Sequence, residues 1–193
     1  MARAPAVAAL DRPGRATASA ARWQGPIGMV HGRFQPFHNG HLELLRHASS
    51  RFPAVVVGIT NADRASRVEE AVDPVRSTPE ANPFSFGRRA LMVRAVLRAE
   101  GLDDAPIVPF PISQPELWPD YVLPGTVHVL RVFDAWGEEK ARRLRAHGQE
   151  VVVVDPGAAK EVSGAEVRRR LREGGDWQAL VPAPVADLLQ QLA

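Results

Sequence analysis

The sequence predicts an α/β fold: a Rossmann-like, five-stranded parallel sheet with helices on both faces. From Pro26 onward, short apolar segments of strand length alternate with longer segments of helical periodicity. Strands that alternate with helices form parallel sheets joined by right-handed crossovers. The 193 residues suit one such domain, which we expect to span residues 25–193 after a flexible tail of residues 1–24.

The first strand, Ile27–His31, is a short apolar run that ends at Gly32. Residues 41–50 follow as a helix with apolar side chains on one face. Ala54–Ile59 is apolar throughout, which is typical of a buried strand. The connection of residues 60–83 is long and polar and lacks apolar periodicity, so it is either a functional lid or a disordered segment.

The middle of the chain continues the alternation. Ser85 can cap a helix that runs to about Glu100, and Gly101 stops it. Ile107–Phe110 is the third predicted strand and Thr126–Phe133 is the fourth.

The last part of the chain supplies the fifth strand and three helices. Glu138–His147 is a helix ended by Gly148. Val151–Val154 is entirely β-branched, so we expect a strand covered on both faces. Ser163–Arg172 and Pro184–Leu192 are the closing helices.

Composition and charge exclude several classes of protein. The chain has no cysteine, which rules out disulfides, a cysteine-zinc site and a cysteine nucleophile. Four arginines and one aspartate give residues 1–24 a charge of +3, so the rest carries −1 of the total of +2 and lacks the basic surface of a nucleic-acid-binding protein. No apolar run approaches the ~18 residues of a membrane span, and Ala6–Leu10 is too short for a signal-peptide core. We therefore expect a cytoplasmic protein that binds neither nucleic acid nor membrane.

The most informative segment is residues 32–41, which read Gly-Arg-Phe-Gln-Pro-Phe-His-Asn-Gly-His. It joins the first strand to the first helix, at the carboxyl edge where open parallel sheets bind ligands. His38 and His41 flank Gly40, which lets a ligand approach the backbone, and the helix N-terminus offers unbonded N–H groups. Because no third ligand stands at a metal-site spacing, the pair favours a polyphosphate site over a metal site.

A second segment points to the same chemistry. Ser163 and Glu166 have the spacing of a capping box, so a helix should start there. Arg168 and Arg169 lie in its first turns, near amides that are not yet hydrogen-bonded. The segment is therefore either a second anion-binding corner that faces the first, or an ordinary capped, arginine-rich helix.

These residues resemble the HxGH nucleotidylyltransferase superfamily, and residues 32–42 are most similar to archaeal-type nicotinamide mononucleotide (NMN) adenylyltransferases. The resemblance covers roughly residues 26–190 and includes Asn82-Pro83-Phe84 and the segment 163–170. It implies in-line transfer of a nucleoside monophosphate from a triphosphate to a phosphate or phosphonate oxygen, with release of pyrophosphate. That oxygen is already anionic, so neither a general base nor a covalent intermediate is required.

The resemblance also implies roles for individual residues. His38, His41, Arg33 and Arg168 would stabilise charge on the phosphates, and Mg²⁺, held mainly by those phosphates, is the expected cofactor. The sequence leaves open whether the protein forms a homo-oligomer. The expected nucleotide-binding residues are Gly32, Phe34, Gln35, Gly40, Asp134, Trp136, Ser163, Gly164 and Arg169. The expected acceptor-binding residues are Phe84, Arg88, Arg89 and Trp118.

The chain departs from the NMN enzymes around the acceptor. Those enzymes usually have Asp and Asn seven and three residues before the Trp that stacks on nicotinamide, whereas Pro111 and Pro115 precede Trp118 at these offsets. The segment 60–83 is longer than the corresponding connection, and Ala81 replaces an Arg. Carboxamide recognition is therefore not expected from these positions.

The stretch Asp134-Ala135-Trp136-Gly137 looks like a segment of glycerol-3-phosphate cytidylyltransferases. Asp134 would accept from the cytosine amine and Trp136 would stack on base or ribose, or else Asp134 caps a helix and Trp136 covers the core. The lead prediction is a CTP-dependent cytidylyltransferase of phosphonate biosynthesis, acting on a small anionic acceptor. The alternatives are an ATP-dependent NMN adenylyltransferase and a catalytically silent nucleotide-binding module.

Overall fold

The computed structural model describes residues 22–155 and 162–191. Most of the expected tail, residues 1–21, therefore lies outside the described residues. Within those two ranges, no helix is long and apolar enough to span a bilayer.

Strands and helices alternate as the sequence predicts. The strands are β1 (Ile27–Gly32), β2 (Ala54–Ile59), β3 (Ile107–Pro109), β4 (Thr126–Arg131) and β5 (Glu150–Val154). The helices are α1 (Asn39–Arg51), α2 (Phe86–Ala99), α3 (Ala135–Ala146), α4 (Gly164–Glu173) and α5 (Ala183–Gln191). Short 3₁₀ turns lie at Arg22–Gln24, Pro74–Ser77, Pro115–Asp120 and Gln178–Leu180.

In the described part of the chain, five strands form one parallel sheet in the order β3-β2-β1-β4-β5. The chain crosses from one half of the sheet to the other between β3 and β4, so the carboxyl ends of the adjacent strands β1 and β4 flank a crevice. Ligands bind at such a switch point in open α/β sheets. The predicted Rossmann-like fold is confirmed.

The two faces of the sheet carry separate apolar cores. Val30 and Val129 belong to the core under α1, α2, α4 and α5. Ile27 and Met29 point the other way, into the core under α3 and the turn Pro115–Asp120. This alternation along β1 is what a strand covered on both faces requires.

β5 departs from the expectation that it is covered on both faces. It is the last strand of the sheet, and the side chain of Val153 is 42% exposed. β-Branched residues suit any extended strand, whether central or at an edge, so their presence indicates a strand but not its depth.

The segment 60–83 is packed against the rest of the fold. The carbonyl oxygen of Arg76 accepts hydrogen bonds from Arg33 Nη1 (3.2 Å), Asn61 Nδ2 (3.2 Å) and Asn82 Nδ2 (2.7 Å). Glu70 forms a bidentate ion pair with Arg143 of α3, at 2.8 and 2.7 Å. These contacts order the segment 60–83. Of the two interpretations that the sequence allowed, a lid or a disordered segment, the disordered segment is therefore excluded.

Candidate active site

A pocket of about 510 Å³ lies at the carboxyl ends of β1 and β4. The N-termini of α1, α3 and α4 and part of the segment 60–83 surround it. Its size is that of a small-molecule site. The four residues expected to carry the chemistry, Arg33, His38, His41 and Arg168, all line it. The expected nucleotide-binding residues that line it are Gly32, Phe34, Gln35, Gly40, Asp134, Trp136, Ser163 and Gly164.

The two histidines of the motif are fixed relative to each other at the start of α1. Their rings stack with centroids 3.7 Å apart, and the backbone N–H of His38 donates to His41 Nδ1 at 3.2 Å. A neutral imidazole that accepts at Nδ1 carries its proton on Nε2. A Cβ at Gly32 would lie 3.6 Å from that Nε2, so the glycine keeps side-chain atoms away from it. His41 thus presents an N–H donor at the pocket.

The second segment singled out in the sequence lies against the first. Ser163 Oγ accepts the N–H of Glu166 at 3.2 Å and caps α4. Arg168 Nη1 donates to the carbonyl of Gln35 at 2.6 Å. A Cβ at Gly164 would come within 2.9 Å of the same carbonyl oxygen, so α4 lies directly against the turn after β1. The two segments singled out in the sequence therefore form one continuous wall.

Arg33 gives the pocket a strongly positive centre. Its Nη1 donates to the carbonyls of Arg76 (3.2 Å) and Ala81 (3.3 Å). Burial, together with the nearby guanidinium groups of Arg76 and Arg168, lowers the pKa of Arg33 to about 9, and the group remains cationic at neutral pH. Crowded buried cations repel one another, and a bound anion relieves that repulsion.

Asp134 and Trp136 have the structural roles that the sequence left open, and both also line the pocket. Asp134 caps α3, since its Oδ1 accepts the N–H of Gly137 at 2.9 Å, and Trp136 is buried in the core under α3. The guanidinium carbon of Arg76 lies 4.4 Å from the Trp136 ring centroid, so a base could stack on that face only after Arg76 moved.

Several expected binding residues lie outside the pocket lining, and Arg89 is the clearest correction. Its buried guanidinium donates to the carbonyls of Thr60 (2.8 Å), Asn61 (2.7 Å), Ala62 (3.2 Å) and Arg33 (2.9 Å). It therefore holds the chain at the ends of β1 and β2. The exposed Arg88 beside it is also not part of the lining.

The other corrections concern Trp118, Arg169 and Phe84. Trp118 is 2% exposed and its Nε1 donates to the carbonyl of Pro111 at 2.9 Å, so its ring belongs to the core. Arg169 pairs with Glu166 and Glu173 along the outer face of α4. Phe84 packs on the core while its backbone N–H and carbonyl bond the Gln35 amide side chain.

The lining also includes side chains that the sequence did not single out, among them His31, Arg76 and Lys140. His31 is 4% exposed, and neither ring nitrogen has a hydrogen-bond partner among residues 22–155 and 162–191. Burial lowers its pKa well below the ordinary value. The sequence signal for His31 is its position as a histidine near the end of an otherwise apolar strand.

The carboxylates at the pocket are engaged with the protein itself. Glu43 pairs with Arg131, Asp73 lies 3.6 Å from Arg76, and Asp134 caps α3. Over the described ranges, no group of three or more His, Asp or Glu side chains forms a metal cage. A divalent cation at this site would therefore take most of its ligands from bound phosphates and water.

Known proteins share both the sequence and the fold. Residues 29–170 match the family described as Cytidylyltransferase-like. The phosphonoformate cytidylyltransferase of Streptomyces viridochromogenes is 42% identical over 166 residues, 85% of this chain and 90% of that protein. The nicotinamide-nucleotide adenylyltransferase of Thermococcus kodakarensis is 31% identical over 169 residues, 86% of this chain and 82% of that protein.

A solved structure agrees on the fold. The bifunctional NMN adenylyltransferase/ADP ribose pyrophosphatase of Francisella tularensis superposes with a TM-score of 0.56 at 21% identity, over 81% of this chain. The chain spans 44% of the length of that protein. Family match, relatives and site geometry together lead to one conclusion: the chain belongs to the cytidylyltransferase-like family and is a nucleotidyltransferase.

Proposed function

We propose that this enzyme transfers CMP from CTP to the phosphonate oxygen of a small acceptor and releases pyrophosphate. The observation that carries the proposal is the 42% identity to a phosphonoformate cytidylyltransferase across 90% of its length. The NMN adenylyltransferases match at 28–31%.

The site offers little support for nicotinamide as part of the acceptor. The resemblance to NMN enzymes assigns nicotinamide stacking to Trp118, but this ring is buried in the core. Pro111 and Pro115 stand where side chains would hydrogen-bond the carboxamide, and proline side chains have no donor or acceptor. A small anionic acceptor needs neither contact.

The chemistry follows from charge and position. An acceptor oxygen attacks the α-phosphorus of CTP, its new P–O bond forms as the bond from that phosphorus to the bridging oxygen breaks, and pyrophosphate leaves on the opposite side. His41 Nε2–H and His38 would donate to phosphate oxygens, while Arg33 and Arg168 would hold charge that develops on the leaving group. No proton has to move.

The residues of the pocket are compatible with Mg²⁺ that is bound mainly by the phosphates of the nucleotide. When bound, it would neutralise part of the triphosphate charge. Besides the histidines and arginines, the N-termini of α1 and α4 line the pocket and would offer N–H groups and positive dipole ends to the phosphates. Asp134, which lines the pocket, would accept from the 4-amino group of cytosine.

A second candidate is ATP-dependent NMN adenylylation, because archaeal enzymes with that activity match over more than four-fifths of this chain. The test is to supply the purified protein and Mg²⁺ with each of the four NTPs and with either phosphonoformate or NMN, and to measure pyrophosphate. We expect release with CTP and phosphonoformate. Release with ATP and NMN alone would establish the second candidate, and His41→Ala in parallel reports contaminating activity.

A further inference from the structure

Arg76 occupies an unusual position for a residue of a long connecting segment. Its side chain is 19% exposed and lines the pocket, and its guanidinium carbon lies over the Trp136 ring, 4.4 Å from the ring centroid. Its carboxylate neighbour, Asp73, is at 3.6 Å, a looser contact than the 2.7 Å pairs elsewhere in the protein. Arg76 is therefore held by an aromatic surface and a loose ion pair, with the charges of Asp134 and Glu70 also acting on it.

The backbone around Arg76 is fixed independently of its side chain. Three side-chain N–H groups, from Arg33, Asn61 and Asn82, donate to its carbonyl oxygen. These hydrogen bonds persist whatever side chain residue 76 carries. A buried, pre-positioned guanidinium whose main-chain anchor does not depend on it has the properties of a ligand-binding group.

Two further polar groups line the same pocket. Lys140 projects from α3, and its charge acts on His31 at the end of β1. The His31 ring lies against Phe110, with centroids 4.8 Å apart, and both its nitrogens are without a hydrogen-bond partner in the described ranges. A buried polar group without a partner is costly, so such groups at pockets commonly meet a ligand.

In-line geometry separates the two ends of the pocket. The leaving pyrophosphate and the attacking acceptor lie on opposite sides of the α-phosphorus. The histidine motif, Ser163 and Arg168 supply one anion-binding wall. Arg33 lies close to both this wall and Arg76: its Nη1 donates to the Arg76 carbonyl at 3.2 Å, and the charges of Arg76 and Arg168 both act on its guanidinium.

We propose that Arg76, Lys140 and His31 form the acceptor subsite and bind a second anionic group on the acceptor, in addition to the phosphonate that attacks. This inference rests on the proposed function and deepens it. The substrate class is a small phosphonate that also carries a carboxylate or similar oxyanion. Arg76 is the specificity-determining residue because its planar guanidinium can bind a carboxylate through two hydrogen bonds.

The test compares two acceptors with CTP: phosphonoformate, which has the second anionic group, and methylphosphonate, which lacks it. We expect Arg76→Gln to raise the KM for phosphonoformate at least ~10-fold and to change the KM for methylphosphonate and CTP by less than ~2-fold. Arg76→Lys should recover part of the loss. Lys140→Met, on a separate element, should also raise the KM for phosphonoformate. The control is Arg142→Gln, which changes an exposed arginine paired with Glu139.

Trp136→Ala supplies an independent check, because it removes the surface under Arg76. Trp136→Ala should raise the KM for phosphonoformate. The double variant with Arg76→Gln should have the same KM for phosphonoformate as Arg76→Gln alone. A role in base stacking alone would raise the KM for CTP instead.

The possible outcomes separate the two proposals. Equal effects of Arg76→Gln on both acceptors, or on acceptor and CTP, overturn the acceptor subsite while leaving the cytidylyltransferase proposal intact. Turnover of wild type with ATP and NMN alone overturns both. If no pair of nucleotide and acceptor is turned over, calorimetric titration with phosphonoformate decides. Binding by the wild-type protein that is lost in Arg76→Gln supports the subsite. Equal binding by both proteins, or binding by neither, overturns it.

Discussion

Arg168 Nη1 lies 2.6 Å from the carbonyl oxygen of Gln35, and this hydrogen bond joins α4 to the turn that leads into the two histidines of α1. The residues are 133 positions apart in sequence. The contact joins the two segments that we propose to bind the phosphates, and it is made without a ligand. Such pre-organisation is what catalysis by positioning and charge requires.

The close approach at this junction leads to the first prediction. Gly164→Ala would place a Cβ 2.9 Å from the Gln35 carbonyl oxygen, so α4 has to shift outward. We expect kcat/KM to fall at least ~10-fold, with a loss of about 1–3 kcal/mol in the free energy of unfolding. Steady-state pyrophosphate assays and urea unfolding measure both. Gly87→Ala, where a Cβ meets nothing within 4 Å, is the control and should leave both values nearly unchanged.

His41 should matter for turnover more than for binding. His41→Ala removes the Nε2–H donor that faces the pocket, and we expect kcat to fall at least ~10²-fold. The fold should survive, which circular dichroism can verify. His47→Ala, on the same helix but not in the pocket lining, serves as the comparison. Wild-type turnover in a folded His41→Ala protein would contradict the assigned role.

Arg89 should act on stability rather than on acceptor recognition. Arg89→Lys cannot supply donors to all of the carbonyls of Arg33, Thr60, Asn61 and Ala62. Leaving buried carbonyls unpaired costs about 1–3 kcal/mol each, so we expect a decrease of roughly 2–4 kcal/mol in the free energy of unfolding. Arg88→Lys, at the exposed neighbouring position, should change nothing. A large rise in the acceptor KM with unchanged stability would show that Arg89 binds substrate.

The buried histidines predict acid sensitivity. Burial lowers the pKa of His128 to about 4, against 6.5 for the unfolded chain. Between pH 6.5 and pH 4 the unfolded chain binds a proton that the folded protein does not, so the free energy of unfolding decreases as the pH falls through this window. His128 alone accounts for about 3 kcal/mol. Denaturant unfolding at pH 7 and pH 4.5 should show a smaller decrease for His128→Phe than for wild type, and equal decreases would refute the assignment.

Much of the fold and half of the site could be predicted because they depend on local patterns. Apolar runs and caps such as Ser85 set the strands and helices, and parallel order follows from their alternation. His38, His41 and Ser163 lie at a strand end or helix start, where sequence determines position. These features need no knowledge of distant contacts.

The rest depends on contacts that no local pattern encodes. The segment 60–83 is ordered by side-chain hydrogen bonds to single carbonyls, such as that of Arg76, which leave no periodicity. Arg89 looks like a surface arginine in its helix but is fully buried. His31 sits in a strand that reads as apolar. In each case a partner far away in sequence fixes the environment.

The main-chain anchoring of residue 76 separates the proposed recognition of the acceptor from the proposed phosphoryl transfer. The residues proposed for phosphoryl transfer lie in the turn after β1 and at the start of α4. Residue 76 belongs to a different connection, and three side-chain hydrogen bonds hold its carbonyl oxygen independently of its guanidinium. If Arg76 binds the acceptor as we propose, exchange of this side chain changes acceptor preference while the residues around the phosphates keep their positions.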